Sequence, residues 1–386
     1  MRLDLQALAR GRGMTSRERL LAAYRCQPVD RAPIRVWGAD PWMELWHPSY
    51  RPIYDAAVAY SDIVLNWSGP IVATNGFFSD PAHLPRSVSK RPSEHEGFLD
   101  RITTYDTPHG PLTQVEVVSS EHKPGRILKF MVETEADAQA WLSVPYAPCR
   151  PDVRPFFDLQ QRLGERGLVH ATFDDPISLV YFLMGSERLA LWSLEKRDLL
   201  REMISVAQQR LLDYVSYLLE QGVGPCFAYF GSEICLPPLM HDHDFQEFAL
   251  DINRPFVQMI RQAGGLVWLH CHGRMRRAIR GLADIGVNCV NPMESPPLGD
   301  LTLREARHLV GARLCLEGNI EADDLFRGTP EHVRELVRQA IEQARGGGFV
   351  LCPTSAFMEW PTCNPEKVQN YLAFIEAGLE FGQDFA

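Results

Sequence analysis

The sequence contains no apolar run long enough to cross a bilayer as a helix, which takes about 20 residues. It also lacks an excess of basic residues, because 39 lysines and arginines face 49 aspartates and glutamates and the formal net charge is −10. The first absence excludes a helical membrane protein. The second argues against a nucleic-acid-binding protein, which needs a cationic surface. We therefore expect neither a membrane nor a nucleic acid as a partner.

Cysteine pairing is missing as well. The nine cysteines are an odd number, and no two of them have the C-x-x-C spacing of redox and metal motifs. Several lie inside apolar, strand-like runs, where a thiol packs as a small hydrophobic group. The first residues also lack the apolar core of a secretory signal. These features predict a cytoplasmic protein with reduced thiols.

Short apolar runs alternate with longer segments of helical periodicity, which is the pattern of βα units around a parallel sheet. Capping boxes at Thr15–Glu18 and Thr302–Glu305 mark helix starts between these runs. Eight strands close a barrel, so we predict a single (β/α)8 TIM-barrel domain over residues 1–386. The eight candidate strands are Pro33–Trp37, Asp62–Asn66, Leu168–Phe173, Cys226–Phe230, Val267–His270, Asn288–Asn291, Arg313–Glu317 and Phe349–Cys352.

One region, residues 77–151, breaks this alternation. It contains three strand-like runs, Thr103–Tyr105, Thr113–Val118 and Ile127–Val132, and a turn-like Pro108-His109-Gly110. Strand-like runs joined by a tight turn are typical of antiparallel hairpins. We predict an inserted hairpin or small sheet that lies over the mouth of the barrel.

Polar side chains follow nearly every predicted strand. The active site of a (β/α)8 barrel lies at the carboxyl ends of its strands, so we expect a catalytic mouth there for a small-molecule substrate. Each residue taken alone is better explained by the general polarity of loops, whereas the whole set favours a site. The candidates are Asp40, Asn66, Asp174, Asp175, Ser232, Glu233, His270, His272, Asn291, Glu294, Glu317, Asn319, Thr354 and Ser355.

The most distinctive of these motifs is His270-Cys271-His272-Gly273. Residues i and i+2 of a strand point to the same face, so both imidazoles can face one metal ion while Cys271 turns away. Gly273 allows a sharp turn after them. Imidazole nitrogen suits zinc. A pair of histidines that only hydrogen-bond at a barrel rim fits the same spacing, and the sequence leaves both possibilities open.

Glu233 and Asp174 are the acidic candidates. Glu233 follows an aromatic strand, where a carboxylate serves as a metal ligand, as a general base or as the partner of a histidine. Asp174 can supply an acid or base, while one member of the pair Asp174-Asp175 is explained as a helix N-cap. The predicted catalytic residues are therefore Asp174, Glu233, His270 and His272.

Aromatic and amide side chains are the candidates for substrate contacts. Trp37, Trp42, Trp46 and Trp67 lie near the first two strand ends and can wall an apolar or aromatic pocket, although ordinary packing explains at least two of the four. We take Trp37, Trp42 and Trp67 as the candidates for substrate contacts. Asn291 and Asn319 follow later strands and complete the predicted substrate-binding set.

Four motifs spread over nearly the whole chain are Arg17–Leu20 with Pro28–Pro33, Thr107–Gly110, Leu316–Ile320 and Pro365–Gly378. Together they resemble the uroporphyrinogen decarboxylase superfamily, and most closely its corrinoid-dependent methyltransferase branch. The resemblance implies a TIM barrel that moves a methyl group from a small substrate to the corrinoid (cobalamin) of a partner protein. It also implies a possible homodimer, because decarboxylase-like barrels often pair.

The zinc methyltransferases of this superfamily have His-x-Cys-Gly where this chain has His270-Cys271-His272-Gly273. The resemblance therefore implies zinc held by His270, His272 and Glu233, with Cys352 or Ser355 completing the site. Histidine and carboxylate donors are harder than thiolates. Such a site favours polarising the ether oxygen of a methoxy substrate, for example a methoxy-aromatic compound, over activating a thiol.

Two alternatives stay open. One is a metal-free lyase of the decarboxylase type, in which His270, His272 and Asp174 bind anions and move protons. The other is a non-catalytic binding protein on a degenerate barrel. The decarboxylase's arginine-rich motif is missing at Val36–Asp40, and Asp62, which resembles its catalytic aspartate, has a different spacing. We therefore expect demethylation rather than porphyrinogen decarboxylation.

Overall fold

A computed structural model describes residues 5–10, 13–69, 76–119, 123–359 and 361–385. The strands are β1 Ile63–Ser68, β2 Arg86–Pro92, β3 Leu99–Thr107, β4 Gly110–Val118, β5 Arg126–Lys129, β6 Gly167–Asp174, β7 Cys226–Phe230, β8 Leu266–His270, β9 Cys289–Met293, β10 Cys315–Ile320 and β11 Phe349–Pro353.

The α-helices are α1 Leu5–Arg10, α2 Ser16–Tyr24, α3 Arg51–Tyr60, α4 Glu135–Leu142, α5 Arg154–Leu163, α6 Pro176–Glu195, α7 Arg197–Glu220, α8 Asp242–Asp244, α9 Ile252–Gln262, α10 Ile279–Ile285, α11 Leu303–Val310, α12 Ala322–Arg327, α13 Pro330–Ala344 and α14 Pro365–Phe381. Both expected capping boxes are present, at the starts of α2 and α11. Within the described ranges, the helices are too short or too polar to span a bilayer.

Seven strands form one parallel sheet in the order β1-β6-β7-β8-β9-β10-β11. These are seven of the eight strands expected from the sequence. Their sequences are nearly continuous apolar runs because helices cover the sheet. Parallel pairing places the carboxyl ends of all seven at one edge. Phe230 therefore lies beside His270, and His270 lies beside Asn291.

The prediction of an eighth strand at Pro33–Trp37 is wrong, although this segment lies between the two edges of the sheet. It forms one parallel bridge, Ile34 to Leu351, and the Ile34 carbonyl accepts a hydrogen bond from the Asp62 amide at 2.7 Å. Pro33 has no N–H to donate, and Gly38 turns the chain at φ +82°. The segment thus touches both β11 and the start of β1 without extending into a strand.

Residues 77–151 contain a four-stranded antiparallel sheet in the order β2-β3-β4-β5, and residues 120–122 of this region lie outside the described residues. The expected runs Thr103–Tyr105 and Thr113–Val118 fall in β3 and β4. Strand β2 went unrecognised because every residue of its sequence RSVSKRP is exposed, so it has no buried alternation.

Candidate active site

The two histidines lie together at the carboxyl end of β8, as their spacing predicts. His270 is the last residue of the strand, and its ring centroid is 4.6 Å from that of His272, with the ring planes at 87°. Cys271 between them is fully buried, and its amide donates to the Asn291 carbonyl. Gly273 then turns the chain at φ +96°, a conformation that side chains rarely adopt.

A buried chain of hydrogen bonds orients the ring of His270. Asn291 Nδ2 donates to Glu317 Oε1 at 3.0 Å, which directs Asn291 Oδ1 towards His270 Nδ1 at 2.9 Å. Because Oδ1 can only accept, Nδ1 of His270 carries the proton. Glu317 is itself held by Arg35 Nη1 at 2.7 Å and by the Trp268 indole at 2.8 Å. The lone pair of the neutral ring is therefore on Nε2.

The neutral form of His270 is strongly favoured. Burial, together with the neighbouring charge of His272, lowers the pKa of His270 to about 4. The hydrogen bond to Asn291 opposes this shift. At neutral pH the ring offers Nε2 as an unprotonated nitrogen. That atom can ligate a metal, accept a substrate hydrogen bond or act as a base.

His272 has the opposite preference. Burial, the largest single cause, lowers its pKa, but the hydrogen bond from Nδ1 to Glu294 Oε1 at 2.9 Å and the charges of nearby glutamates together raise the pKa above its ordinary value. Glu294 also accepts from the Gly273 amide at 2.7 Å. The two adjacent rings therefore differ in charge preference, with a neutral His270 beside a His272 that binds a proton more readily.

Glu233 stands in a short 3-10 turn, Ser232–Cys235, directly after β7. Its Oε2 atom is buried and has no hydrogen-bond partner. Burial raises the pKa of Glu233, although a hydrogen bond from its own amide and the charge of His272 lower it. A buried carboxyl oxygen without a partner is costly in the ionised form, which shifts the equilibrium of Glu233 towards the carboxylic acid.

The two aspartates at the end of β6 have different roles, because Asp175 is a helix cap, as expected for one of the pair, and Asp174 is not. Asp175 is fully buried and caps α6, accepting from the Ser178 amide at 2.9 Å, from Ser232 Oγ at 2.7 Å and from Asn253 Nδ2 at 3.0 Å. Asp174 faces a cavity instead. Burial raises the pKa of Asp174 to about 6.

A cavity of about 500 Å³ brings Asp174, Glu233 and His270 to one wall. Its volume lies within the usual range for small-molecule sites, roughly 300–1,000 Å³. Within the described residues, no lysine or arginine lines it. The remaining wall is largely apolar and aromatic, formed by Tyr181, Phe182, Phe230, Ile234 and Leu239. The cavity therefore suits an uncharged ligand with an apolar body.

The three tryptophans do not form one pocket wall. Trp37 packs beside the site, with its ring centroid 5.1 Å from that of His270 and 5.6 Å from that of Trp268. Trp42 instead stacks on the Arg162 guanidinium of α5 at 3.8 Å. Trp67 packs against Phe156 of the same helix at 5.5 Å. It faces the helical layer because its strand neighbour Ser68 takes the opposite face, against Thr172.

The other candidates occupy separate positions. Asn319 Nδ2 donates to Ser295 Oγ at 2.6 Å, at the end of β10. Cys352 is fully buried in β11, where burial raises the pKa of its thiol well above the ordinary value and the charge of nearby Glu317 raises it further. Ser355 follows β11 and is half-buried. Cys352 thus belongs to the buried layer around Glu317.

Two of the four residues expected to hold zinc lie side by side in the structure. In the part of the chain that the structure describes, no group of three or more histidine, cysteine, aspartate or glutamate side chains could hold a metal ion. His270 and His272 supply two nitrogen donors at one place, and their Nδ1 atoms are held by Asn291 and Glu294 as in many metal sites. A third donor is not grouped with them.

Two residues of the site were missed at the sequence level. Arg35 lies in the segment predicted as the first strand, and in the structure it pairs with Glu317, 282 positions away in sequence. Its spacing of two from Trp37 was the available signal, because both side chains face the same interior and the guanidinium lies 4.4 Å from the Trp37 ring. Phe182 on α6 was not considered, because helical periodicity alone does not show which residue borders a cavity.

Comparison with known proteins supports the sequence resemblance. The family described as uroporphyrinogen decarboxylase (URO-D) matches residues 158–377, which is more than half of the 386-residue chain. No curated protein sequence matches. Among solved structures, a methyltransferase from Methanosarcina mazei is 17% identical, with a TM-score of 0.57 over 96% of this chain and 99% of that one. This likeness shows a shared fold.

A second solved structure is a B12-independent methionine synthase from Shewanella sp. W3-18-1 in complex with selenomethionine. It is 13% identical, with a TM-score of 0.41 over 91% of this chain and 95% of that one. The extent of the family match is decisive. The chain belongs to the uroporphyrinogen decarboxylase (URO-D) family.

Proposed function

We propose that this protein is a methyltransferase that takes the methyl group of a small O-methylated substrate and passes it to a corrinoid on a partner protein. The observation that carries the proposal is the buried, unpartnered Oε2 atom of Glu233, in the same cavity as Asp174 and His270. The shared fold with a protein described as a methyltransferase supports the reaction class.

The chemical step needs an acid at the substrate oxygen. When the bond between methyl carbon and oxygen breaks, the electron pair stays on the oxygen, and the methyl carbon forms its new bond to the nucleophile of the acceptor. Protonated Glu233 donates its proton to that oxygen and leaves as a carboxylate. A carboxyl with a raised pKa suits general acid catalysis near neutral pH.

The histidines orient and balance charge in this scheme. His270, neutral and fixed by Asn291, accepts a hydrogen bond from the substrate through Nε2. His272, whose pKa is raised by Glu294, lies 4.6 Å away by ring centroid and compensates the carboxylate that forms at Glu233. Glu233 and His272 already interact electrostatically in the structure.

The lining of the cavity favours methyl transfer over decarboxylation of a polycarboxylate. Carboxylate substrates are held by arginine, lysine or other cationic groups. Among the described residues the cavity is lined by two carboxyl groups and no lysine or arginine, and Arg35 is already paired with Glu317. An uncharged methoxy compound avoids this electrostatic penalty.

Zinc remains a separate part of the proposal. The resemblance assigns it to His270, His272 and Glu233, where it would polarise the substrate oxygen. These residues are not grouped for binding in the described chain, so no step above depends on a metal. Zinc content of the purified protein, compared between wild type and His270→Ala with His272→Ala, tests this part: zinc lost with the histidines supports a metal site, and equal zinc in both rejects it.

The direct test is methylation of cob(I)alamin by 2-methoxyphenol, followed by absorbance. We expect turnover by the wild type and a reduction of kcat by about 100-fold in Glu233→Gln, because general acid catalysis contributes about that much. Glu187→Gln is the matched control, since it makes the same change at an exposed carboxylate of α6. Absence of turnover with a broad panel of methoxy compounds and methylamines would reject the proposal.

A further inference from the structure

A second cavity of about 400 Å³ lies between the small antiparallel sheet and α6. We call it the side chamber. Most of its wall is apolar, and its polar contributions come from β4 and from the end of β6. The residues that matter here are Phe78, Gln114, Ile127, Met131, Leu179 and Leu183.

The small sheet presents one face to the side chamber. Gln114 and Glu116 are two residues apart on β4 and so project from the same face. Ile127 of β5 pairs directly with Glu116 and shares that face. All three line the chamber. The inserted region therefore contributes a wall to a cavity at the carboxyl end of β6.

The side chamber adjoins the cavity of about 500 Å³ that is lined by Glu233 and His270. Asp174 and Phe182 line both cavities. Phe182 is 49% exposed, so part of its ring is uncovered. A ligand that extends from one cavity into the other would cover this ring.

We propose that the side chamber is a specificity subsite that binds the uncharged aromatic ring of the O-methylated substrate, an inference that rests on the methyl transfer proposed above. The methoxy group then lies at Glu233 and His270, and the ring lies between Phe182 of α6 and the face of the small sheet.

The charges around the side chamber agree with an uncharged occupant. Glu116 is paired with Arg101, whose Nη2 donates to Glu116 Oε2 at 2.7 Å, so its charge is already compensated. Burial raises the pKa of Asp174 only to about 6, so this carboxyl is mostly ionised at pH 7 and disfavours an anionic occupant. The side chain of Gln114 is neutral and has both a donor and an acceptor, which suits a phenolic hydroxyl. An apolar wall with few polar groups is typical of sites for aromatic ligands.

The test is binding of 2-methoxyphenol by calorimetry, without any methyl acceptor. Gln114→Trp places an indole in the side chamber at a strand position that favours aromatic residues. Val115→Trp is the matched control, because the neighbouring residue projects from the opposite face of β4. Thermal unfolding of each variant confirms that it is folded.

We expect Gln114→Trp to weaken binding by at least about tenfold, Phe182→Ala to weaken it by a smaller factor, and Val115→Trp to bind like the wild type. Equal affinities of folded Gln114→Trp and wild type would overturn the subsite. Loss of binding in both tryptophan variants would also overturn it, because the effect would not depend on the face.

The affinity for 2-methoxyphenol tests the subsite independently of the methyl transfer reaction. Affinity that depends on Gln114, together with no methylation of cob(I)alamin, would keep the subsite and reject the methyltransferase. Methylation in wild type, together with an affinity that ignores Gln114→Trp and Phe182→Ala, would keep the methyltransferase and reject the subsite.

Discussion

Two carboxyl groups at opposite ends of the sheet, Asp62 and Glu233, behave in opposite ways. Asp62 precedes β1 at the amino end, and its oxygens accept from Arg19 at 2.7 Å, from Arg31 at 2.9 and 3.1 Å and from the Ile34 amide at 2.9 Å. Burial alone would raise its pKa, but the guanidinium groups of Arg31 and Arg19 outweigh burial and lower the pKa.

Glu233 at the carboxyl end is half-buried, with its Oε2 atom buried and unpartnered, and its pKa is raised. Loss of water raises the pKa of both carboxyl groups, so their partners decide the direction of the net shift. A satisfied carboxylate holds the fold together, whereas an unsatisfied one is available for chemistry. This difference also explains why Asp62, although it resembles a catalytic aspartate in sequence, has a structural role here.

The largest expected effect is on stability and concerns Asp62, the carboxylate whose hydrogen bonds are satisfied. Asp62→Ala leaves Arg19 and Arg31 buried without their shared partner, which should lower the free energy of unfolding by about 3–5 kcal/mol. Urea unfolding measures this change, with Asp55→Ala as the control at an exposed carboxylate of α3. Similar losses of unfolding free energy in Asp62→Ala and Asp55→Ala would contradict the structural role of Asp62.

The next effect concerns Asp174, whose folded-state pKa is raised to about 6 from an ordinary value of 3.8. A raised pKa means that its contribution to stability is present below pH 3.8 and is lost as the pH rises through about 6. Asp174→Asn should therefore increase the free energy of unfolding by about 2 kcal/mol at pH 7. It should have little effect at pH 4. Urea unfolding at both pH values checks the sign, and a destabilised variant at pH 7 would contradict it.

The smallest effect concerns the orientation of His270. Asn291→Ala removes the acceptor at Nδ1, so the ring should lose its single tautomer, and kcat should fall by about tenfold. Nitrogen-15 NMR of the histidine rings reports the tautomer directly. The control is Asn319→Ala, whose side chain bonds Ser295 and not a histidine. An unchanged His270 tautomer in Asn291→Ala would show that the Asn291–Glu317 chain does not position the ring.

Periodicity and capping residues were enough to predict most of the fold. Seven strands, the antiparallel sheet in residues 77–151 and the helix starts at Thr15 and Thr302 all depend on local patterns. The eighth strand failed because Pro33 and Gly38 shorten a segment whose side-chain pattern is strand-like. The strand at Arg86–Pro92 was missed because its exposed residues carry no burial pattern.

The candidate site was predictable where neighbours in sequence are neighbours in space. The proximity of His270 and His272 follows from strand geometry, and the cap at Asp175 follows from its place before Pro176. Contacts between distant elements were not predictable. Trp67 faces α5 because of the orientation of its strand, and a third donor beside the histidines depends on register between strands, which one sequence does not reveal.

The salt bridge between Arg35 and Glu317 has a consequence for how activity arises during folding. It joins a segment near the amino terminus to a late strand, and through Asn291 it fixes the proton on the ring of His270. A nascent chain can form β8 and place both imidazoles without having this proton fixed. Catalytic competence should therefore appear only when the two halves of the molecule have met, and local fraying at the Ile34–Leu351 bridge would inactivate the protein before it unfolds.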